Sequence, residues 1–95
     1  MAVQAGVALI RMELIRSQLE AALQPSLLTL RDDSAQHAGH AGARDGRGHF
    51  HVTVVSEVFR GKSSLQQHRL IYAALGELMS TDIHALSITA SAPQA

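Results

Sequence analysis

The sequence predicts an α/β (α+β) domain with a small three-stranded mixed sheet, helices on one face, and the order αββαβ. Three observations favour this fold. The chain has 95 residues, 46% of them hydrophobic, which suits a single domain over 1–95 with a modest core. Two segments repeat apolar residues every three or four positions, as amphipathic helices do. Three short segments are apolar or β-branched, as strands are.

The first helix is expected from about Val7 to Leu23. Gln24 precedes a proline and is therefore disfavoured in the helical region, which ends this helix. The second helix is expected from about Leu65 to Met79, with Ser63 or Ser64 as its cap. The apolar stripes consist of Ala8, Met12, Ile15, Leu19 and Ala22 in the first helix and Ile71, Ala74, Leu75 and Leu78 in the second.

Strands are expected at residues 27–31, 49–56 and 85–90. Residues 35–48, rich in glycine and histidine, are expected to form a flexible loop, which is long for a hairpin connection. In the second strand the apolar side chains alternate with histidine and threonine, so one face of the sheet is expected to be open. The polar tail, residues 91–95, is expected to be disordered.

Composition excludes several function classes. Eight basic and eight acidic residues cancel, which weakens nucleic acid as the main ligand because binding driven by counterion release needs a basic surplus. The chain has no cysteine, so it forms no disulfide and cannot hold an iron–sulfur cluster by its own thiolates. Charges at Arg11, Glu13 and Arg16 exclude a membrane span, and a cytoplasmic protein is expected. No catalytic motif is present, and Ser56 and Glu57 point to opposite faces rather than forming a dyad.

The histidines offer open alternatives of metal binding, pH sensing or simple solvation, and four of the six lie between residues 37 and 51. His84 has the same strand parity as Leu86 and Ile88, so it is either a partly buried, hydrogen-bonded side chain or a ligand. His37 and His40 are either solvated loop residues or ligands.

Three further histidines are expected to be less important. His49 and His51 alternate with core residues and are expected to be solvated on the open face or edge, with His49 near enough to the loop to act as a substitute ligand. His68 is expected to be structural or surface-exposed. A zinc site built from several of these imidazoles is an alternative.

A local excess of basic side chains follows the second strand, around a turn predicted at 59–62. It is either a solvated helix start or a surface for a partner, an anion or nucleic acid. A nucleic-acid-gripping Gly-x-x-Gly loop is not present, because Gly61 is followed by Lys62-Ser63-Ser64. We call this group the basic cluster: Arg60, Lys62, His68 and Arg69.

Three motifs in order resemble the BolA family. They are the strand end Ser56-Glu57-x-Phe59-x-Gly61, the helix segment His68-Arg69-Leu70, and Ile83-His84-Ala85-Leu86-Ser87-Ile88. The resemblance covers residues 49–93 closely. It implies a fold like the type II K-homology domain and a non-enzymatic protein that pairs with monothiol (CGFS) glutaredoxins and shares a [2Fe–2S] cluster with them. It also implies an alternative, a DNA-binding transcriptional regulator.

The resemblance also implies particular residues. The family's C-terminal histidine ligand falls on His84, and its loop histidine falls on His37, with His40 as a rival. The remaining ligands would be sulfur from the glutaredoxin and from glutathione, so the isolated chain is expected to lack the cluster. The basic cluster would be the surface for the glutaredoxin or, less favoured, for DNA. Alone, the protein is expected to be a monomer or weak homodimer, with no membrane partner.

Overall fold

The computed structural model describes residues 2–33 and 48–94, with side chains from residue 9 onward in those ranges. The elements follow the predicted order, with one additional short helix and one 3₁₀ turn. They are α1 (Ala2–Leu23), β1 (Leu27–Asp32), β2 (Gly48–Val55), a 3₁₀ turn (Glu57–Phe59), α2 (Ser64–Leu75), α3 (Leu78–Thr81) and β3 (Ile83–Ser91).

The sheet has the strand order β1-β2-β3, with β1 antiparallel and β3 parallel to the central strand β2. This confirms the predicted three-stranded mixed sheet. Alternate β2 side chains are buried under the helices, whereas His51 and Thr53 on the opposite face are half-exposed. The buried core joins one face of the sheet to α1 and α2 and consists of Ile15, Leu19, Leu23, Phe50, Val52, Val54, Phe59, Ile71, Leu75 and Ile83.

The first helix is longer than predicted at its beginning and ends where predicted. It begins at Ala2 rather than near Val7, and it ends at Leu23. Gln24 follows with a φ of 46°, the left-handed conformation that terminates many helices. Leu23 is buried, whereas Ala22 is exposed, so the core-facing stripe ends one residue later than predicted.

The second predicted helix is divided in two. Its beginning agrees with the prediction, because the Ser63 hydroxyl accepts from the Gln66 N–H at 3.1 Å and the Gln66 side chain accepts from the Ser63 N–H at 2.9 Å. The predicted end near Met79 is wrong. The helix ends at Leu75 because Gly76 adopts a φ of 53° and breaks the helical path, and α3 follows separately.

The boundaries of three further segments differ from the predicted ones. Strand β3 extends beyond the predicted range 85–90 at both ends. The prediction of a disordered tail is wrong at Ser91 and Pro93. The Ser91 carbonyl accepts from the Ser56 N–H at 3.0 Å, and the Pro93 carbonyl accepts from Arg60 at 2.7 Å. Gly48, predicted to end the loop, begins β2, while residues 35–47 of that loop lie outside the described residues.

Candidate metal-ligand site

An irregularity in strand pairing determines the position of His84. Gly48 pairs with Ile83, but the next β2 residue, His49, pairs with Ala85. His84 is therefore an extra residue on β3, as in a β-bulge. Ile83 before it is completely buried, and the His84 side chain is exposed. The interpretation of His84 as a partly buried side chain sharing the parity of Leu86 is wrong, because the bulge interrupts the alternation between them.

His49 lies beside His84 and is the buried member of the pair. Only 7% of the His49 residue is exposed, and its ring centroid lies 5.0 Å from that of His84, with the ring planes tilted by 52°. The expectation that His49 is solvated is therefore wrong. His51, two residues further along β2, is half-exposed on the open face as expected, with its Nε2 3.4 Å from the Thr89 hydroxyl oxygen.

We call the group formed by Gly48, His49, Ile83 and His84 the histidine end of the sheet.

The alternation of side chains along β2 identified the face of the sheet on which His49 lies, but it did not predict that His49 is buried. The residue before His49 is a glycine at the irregular pairing, which is the one sequence signal at this position for a β-bulge or a close backbone approach. That signal does not identify the residue that packs against His49, because His84 is 35 positions away in the chain.

Both ends of the segment that carries His37 and His40 are attached to the histidine end. The Asp33 N–H donates to the His49 carbonyl at 2.7 Å, and the Gly48 N–H donates to the Asp82 carbonyl at 2.9 Å. His37 and His40 themselves lie outside the described residues.

Chain length allows either loop histidine to approach His84. His37 is four residues from Asp33, and four extended residues span up to roughly 14 Å. Strand β3 lies about 10 Å from β1 across two strand spacings. His40 is eight residues from Gly48, which is itself paired beside His84, so its covalent reach is longer still.

His84 brings an imidazole, a donor type that suits several metals, to the surface of this end. Imidazole is a common ligand of iron, zinc and copper. Among residues 2–33 and 48–94, no group of three or more histidine, cysteine, aspartate or glutamate side chains is arranged to hold a metal ion. His84 is therefore an exposed histidine at this end, and the described residues do not group it with two further potential metal ligands.

The turn that carries Arg60 and Lys62 of the basic cluster follows the opposite end of β2, and Arg60 is engaged within the protein. Arg60 donates to both Glu57 carboxylate oxygens, at 2.6 and 2.8 Å, and to the Pro93 carbonyl at 2.7 Å. The hydrogen bond with Arg60 lowers the pKa of the Glu57 carboxyl below its ordinary value and raises the pKa of Arg60. Arg60 is thus held in an ion pair on the surface of the protein.

The other three members of the basic cluster are available to solvent to different extents. Lys62 and Arg69 are exposed, whereas His68 is half-buried on α2. Lys62 closes the predicted turn by donating its N–H to the Phe59 carbonyl at 3.1 Å, and Gly61 within that turn has a φ of 77°. This is the geometry of a type II β-turn, in which glycine is favoured at the third position.

In the described part of the chain, no helix is both long and apolar enough to cross a bilayer.

The fold and the site together define a class of protein. It is a small α+β domain with a three-stranded mixed sheet that carries an exposed histidine at a bulged strand.

Comparison with known proteins assigns the domain to a family. A family model described as "BolA-like protein" matches residues 19–95. BolA-like protein 1 from Mus musculus is 48% identical over 79 residues, covering 83% of this chain and 56% of that protein. The DNA-binding transcriptional regulator BolA from Escherichia coli (strain K12) is 42% identical over 76 residues, covering 80% of this chain and 70% of that protein. The chain belongs to the BolA-like family, which confirms the resemblance noted in its sequence.

A solved structure supports the same assignment. BolA1 from Arabidopsis thaliana has a TM-score of 0.74 and 37% sequence identity, covering 87% of this chain and 92% of that one. The chain spans between 23% and 56% of the length of the plant and mammalian curated relatives it matches.

Proposed function

We propose that this chain is a non-enzymatic adaptor that binds a monothiol glutaredoxin and shares a [2Fe–2S] cluster with it, in iron–sulfur cluster trafficking or iron homeostasis. His84 supplies one imidazole, and His37 or His40 supplies another. The observation that supports this proposal most directly is the exposed His84 side chain at the β3 bulge. The segment carrying both loop histidines begins and ends beside that bulge.

The composition of the chain supports a shared cluster rather than a self-contained one. Each iron of a [2Fe–2S] cluster takes two protein-side ligands, and this chain has no cysteine. The partner's cysteine and a glutathione thiol would supply the sulfur ligands. Imidazole in place of thiolate removes negative charge and raises the reduction potential, as in Rieske centres.

The experiment is anaerobic reconstitution of this chain with a CGFS glutaredoxin and glutathione. Iron and sulfide content and the visible absorbance and circular dichroism of the purified heterodimer are measured. We expect the wild-type pair to carry a cluster and His84→Ala to alter its spectrum and decrease its retention. One of His37→Ala and His40→Ala is expected to resemble His84→Ala, which would identify the loop ligand.

His51→Ala is the matched control, because His51 is a strand histidine on the open face of the sheet. Its heterodimer should have the wild-type spectrum. The proposal is wrong if the wild-type pair forms no cluster, if His84→Ala leaves the spectrum unchanged, or if the isolated chain holds stoichiometric iron and sulfide.

A second candidate function is DNA binding in transcriptional regulation, favoured by the name of the Escherichia coli relative. The exposed Lys62 and Arg69 side chains would contact phosphates. The zero formal charge and the engagement of Arg60 with Glu57 make this function the weaker of the two. A salt-dependent mobility shift that disappears in the Lys62→Ala/Arg69→Ala double variant would support it.

A further inference from the structure

His49 is the more firmly held of the two neighbouring imidazoles. It lies on the central strand, its carbonyl accepts from the Asp33 N–H of the segment leaving β1, and its Cα pairs with that of Ala85 on β3. The ring is buried, and both of its nitrogen atoms are shielded from solvent. This ring is therefore placed by backbone pairing on both sides and is poorly accessible to a ligand from a second molecule.

His84 has the opposite properties. It is the residue that the strand pairing skips, and its side chain is exposed on the edge strand. A side chain at a bulge is not oriented by the regular alternation of the strand. The ring of His84 nevertheless has a defined neighbour, because its centroid lies 5.0 Å from that of His49 at a tilt of 52°. This is within the usual range for packed aromatic rings.

We propose that His49 is a positioning residue, whose buried ring sets the orientation in which His84 presents its ligand nitrogen to a metal held by a second molecule. This inference rests on the proposed function. The physical reason is that a ligand ring with a fixed plane loses less rotational freedom when it coordinates, and groups that orient metal ligands contribute about 10–100-fold to metal affinity. In this proposal His49 acts through the contact between the two rings and donates no electron pair to the metal.

The test compares two replacements that fill the buried space but differ in shape. His49→Phe keeps a planar ring without nitrogen, and His49→Leu fills the site without a planar face. His51→Ala is the matched histidine control. In the reconstituted heterodimer, we expect cluster retention to fall about tenfold in His49→Leu and to remain near wild type in His49→Phe. The visible circular dichroism should change in His49→Leu and not in His49→Phe.

A second measurement needs no cluster. In the isolated chain, the order parameter of the His84 ring is measured by NMR relaxation of ¹³C-labelled histidine, with amide spectra confirming that each variant is folded. We expect the His84 ring to be more mobile in His49→Leu than in the wild type and in His49→Phe. This ring measurement decides the positioning role even if the wild-type pair forms no cluster, in which case the proposed function alone is wrong.

Two outcomes overturn the inference. If folded His49→Phe loses the cluster as severely as His49→Leu, the nitrogen of His49 is required and His49 is itself a ligand. If His49→Leu retains the cluster and the His84 ring order of the wild type, the contact between the two rings has no positioning role.

Discussion

The two ends of strands β2 and β3 both carry basic side chains, but they hold them differently. At the turn end, residues 56–63, Arg60 is engaged by Glu57 and by the Pro93 carbonyl, and Ser63 is engaged in a capping box. At the histidine end, an irregular pairing leaves His84 exposed. A basic side chain therefore makes contacts within the fold at one end, and another is exposed to solvent at the other.

Hydrogen bonding at the turn end extends into the core. The buried Ser56 hydroxyl donates to the Leu23 carbonyl at the end of α1, and it accepts from the Val58 N–H at 3.3 Å. The Gln67 side chain donates to the Phe59 and Lys62 carbonyls, each at 3.2 Å. We therefore expect substitutions at the turn end to change stability, whereas substitution of the exposed His84 at the histidine end should change ligand binding if the proposed function holds.

The largest effect is expected for Phe59→Ala at the turn end. Phe59 is completely buried in the core, and removing a buried aromatic ring costs about 3–5 kcal/mol. Urea unfolding of the isolated chain measures the loss. Val58→Ala is the control, because Val58 is 40% exposed and its truncation should cost much less. Equal losses in the two variants would contradict the turn end's role in the core.

A smaller loss is expected for Gly61→Ala. At a φ of 77° an L-residue with a Cβ is strained by roughly 1–2 kcal/mol. No neighbouring atom lies within 4 Å of the added Cβ, so backbone strain alone produces the effect. Gly61→Asn should be less destabilised in the same urea measurement, since asparagine tolerates the left-handed region. A loss in Gly61→Asn as large as in Gly61→Ala would exclude this explanation.

A pH-dependent effect smaller than these is expected for Glu57→Gln. The hydrogen bond from Arg60 lowers the pKa of Glu57 below 4.5, its ordinary value, so the carboxylate contributes stability above that pH. This contribution is lost as the pH falls through the lowered pKa, and the wild type and Glu57→Gln should converge there. Unfolding free energies at pH 7 and in steps below pH 4.5 test this. A difference that stays constant with pH would contradict it.

The smallest effect on stability is expected for His84→Ala. The side chain is exposed at a bulge, and surface substitutions usually change the unfolding free energy by no more than about 0.5 kcal/mol. If the proposed function holds, the same variant should also decrease retention of the shared cluster in the heterodimer. A large destabilisation of the isolated chain would remove the contrast between the two ends, because His84 would then be a structural residue.

Several parts of the fold were predictable from local patterns. The three strands, the two main helices, the cap at Ser63 and the turn at Phe59–Lys62 all depend on residues close together in the chain. The end of α2 was misplaced because the apolar spacing continues through Leu78, whereas Gly76 breaks the backbone path. The spacing of side chains does not report a change of backbone conformation between them.

The sequence by itself determined the element order, the absence of cysteine ligands and the family motifs, because these follow from residue types and near-neighbour periodicity. Only the tertiary structure decided which histidine is exposed and which is buried. The register between β2 and β3 depends on residues 35 or 36 positions apart, and one skipped position leaves His84 exposed beside the buried ring of His49. The pairing of Arg60 with the Pro93 carbonyl is likewise a long-range contact, since it requires β3 to end beside the turn.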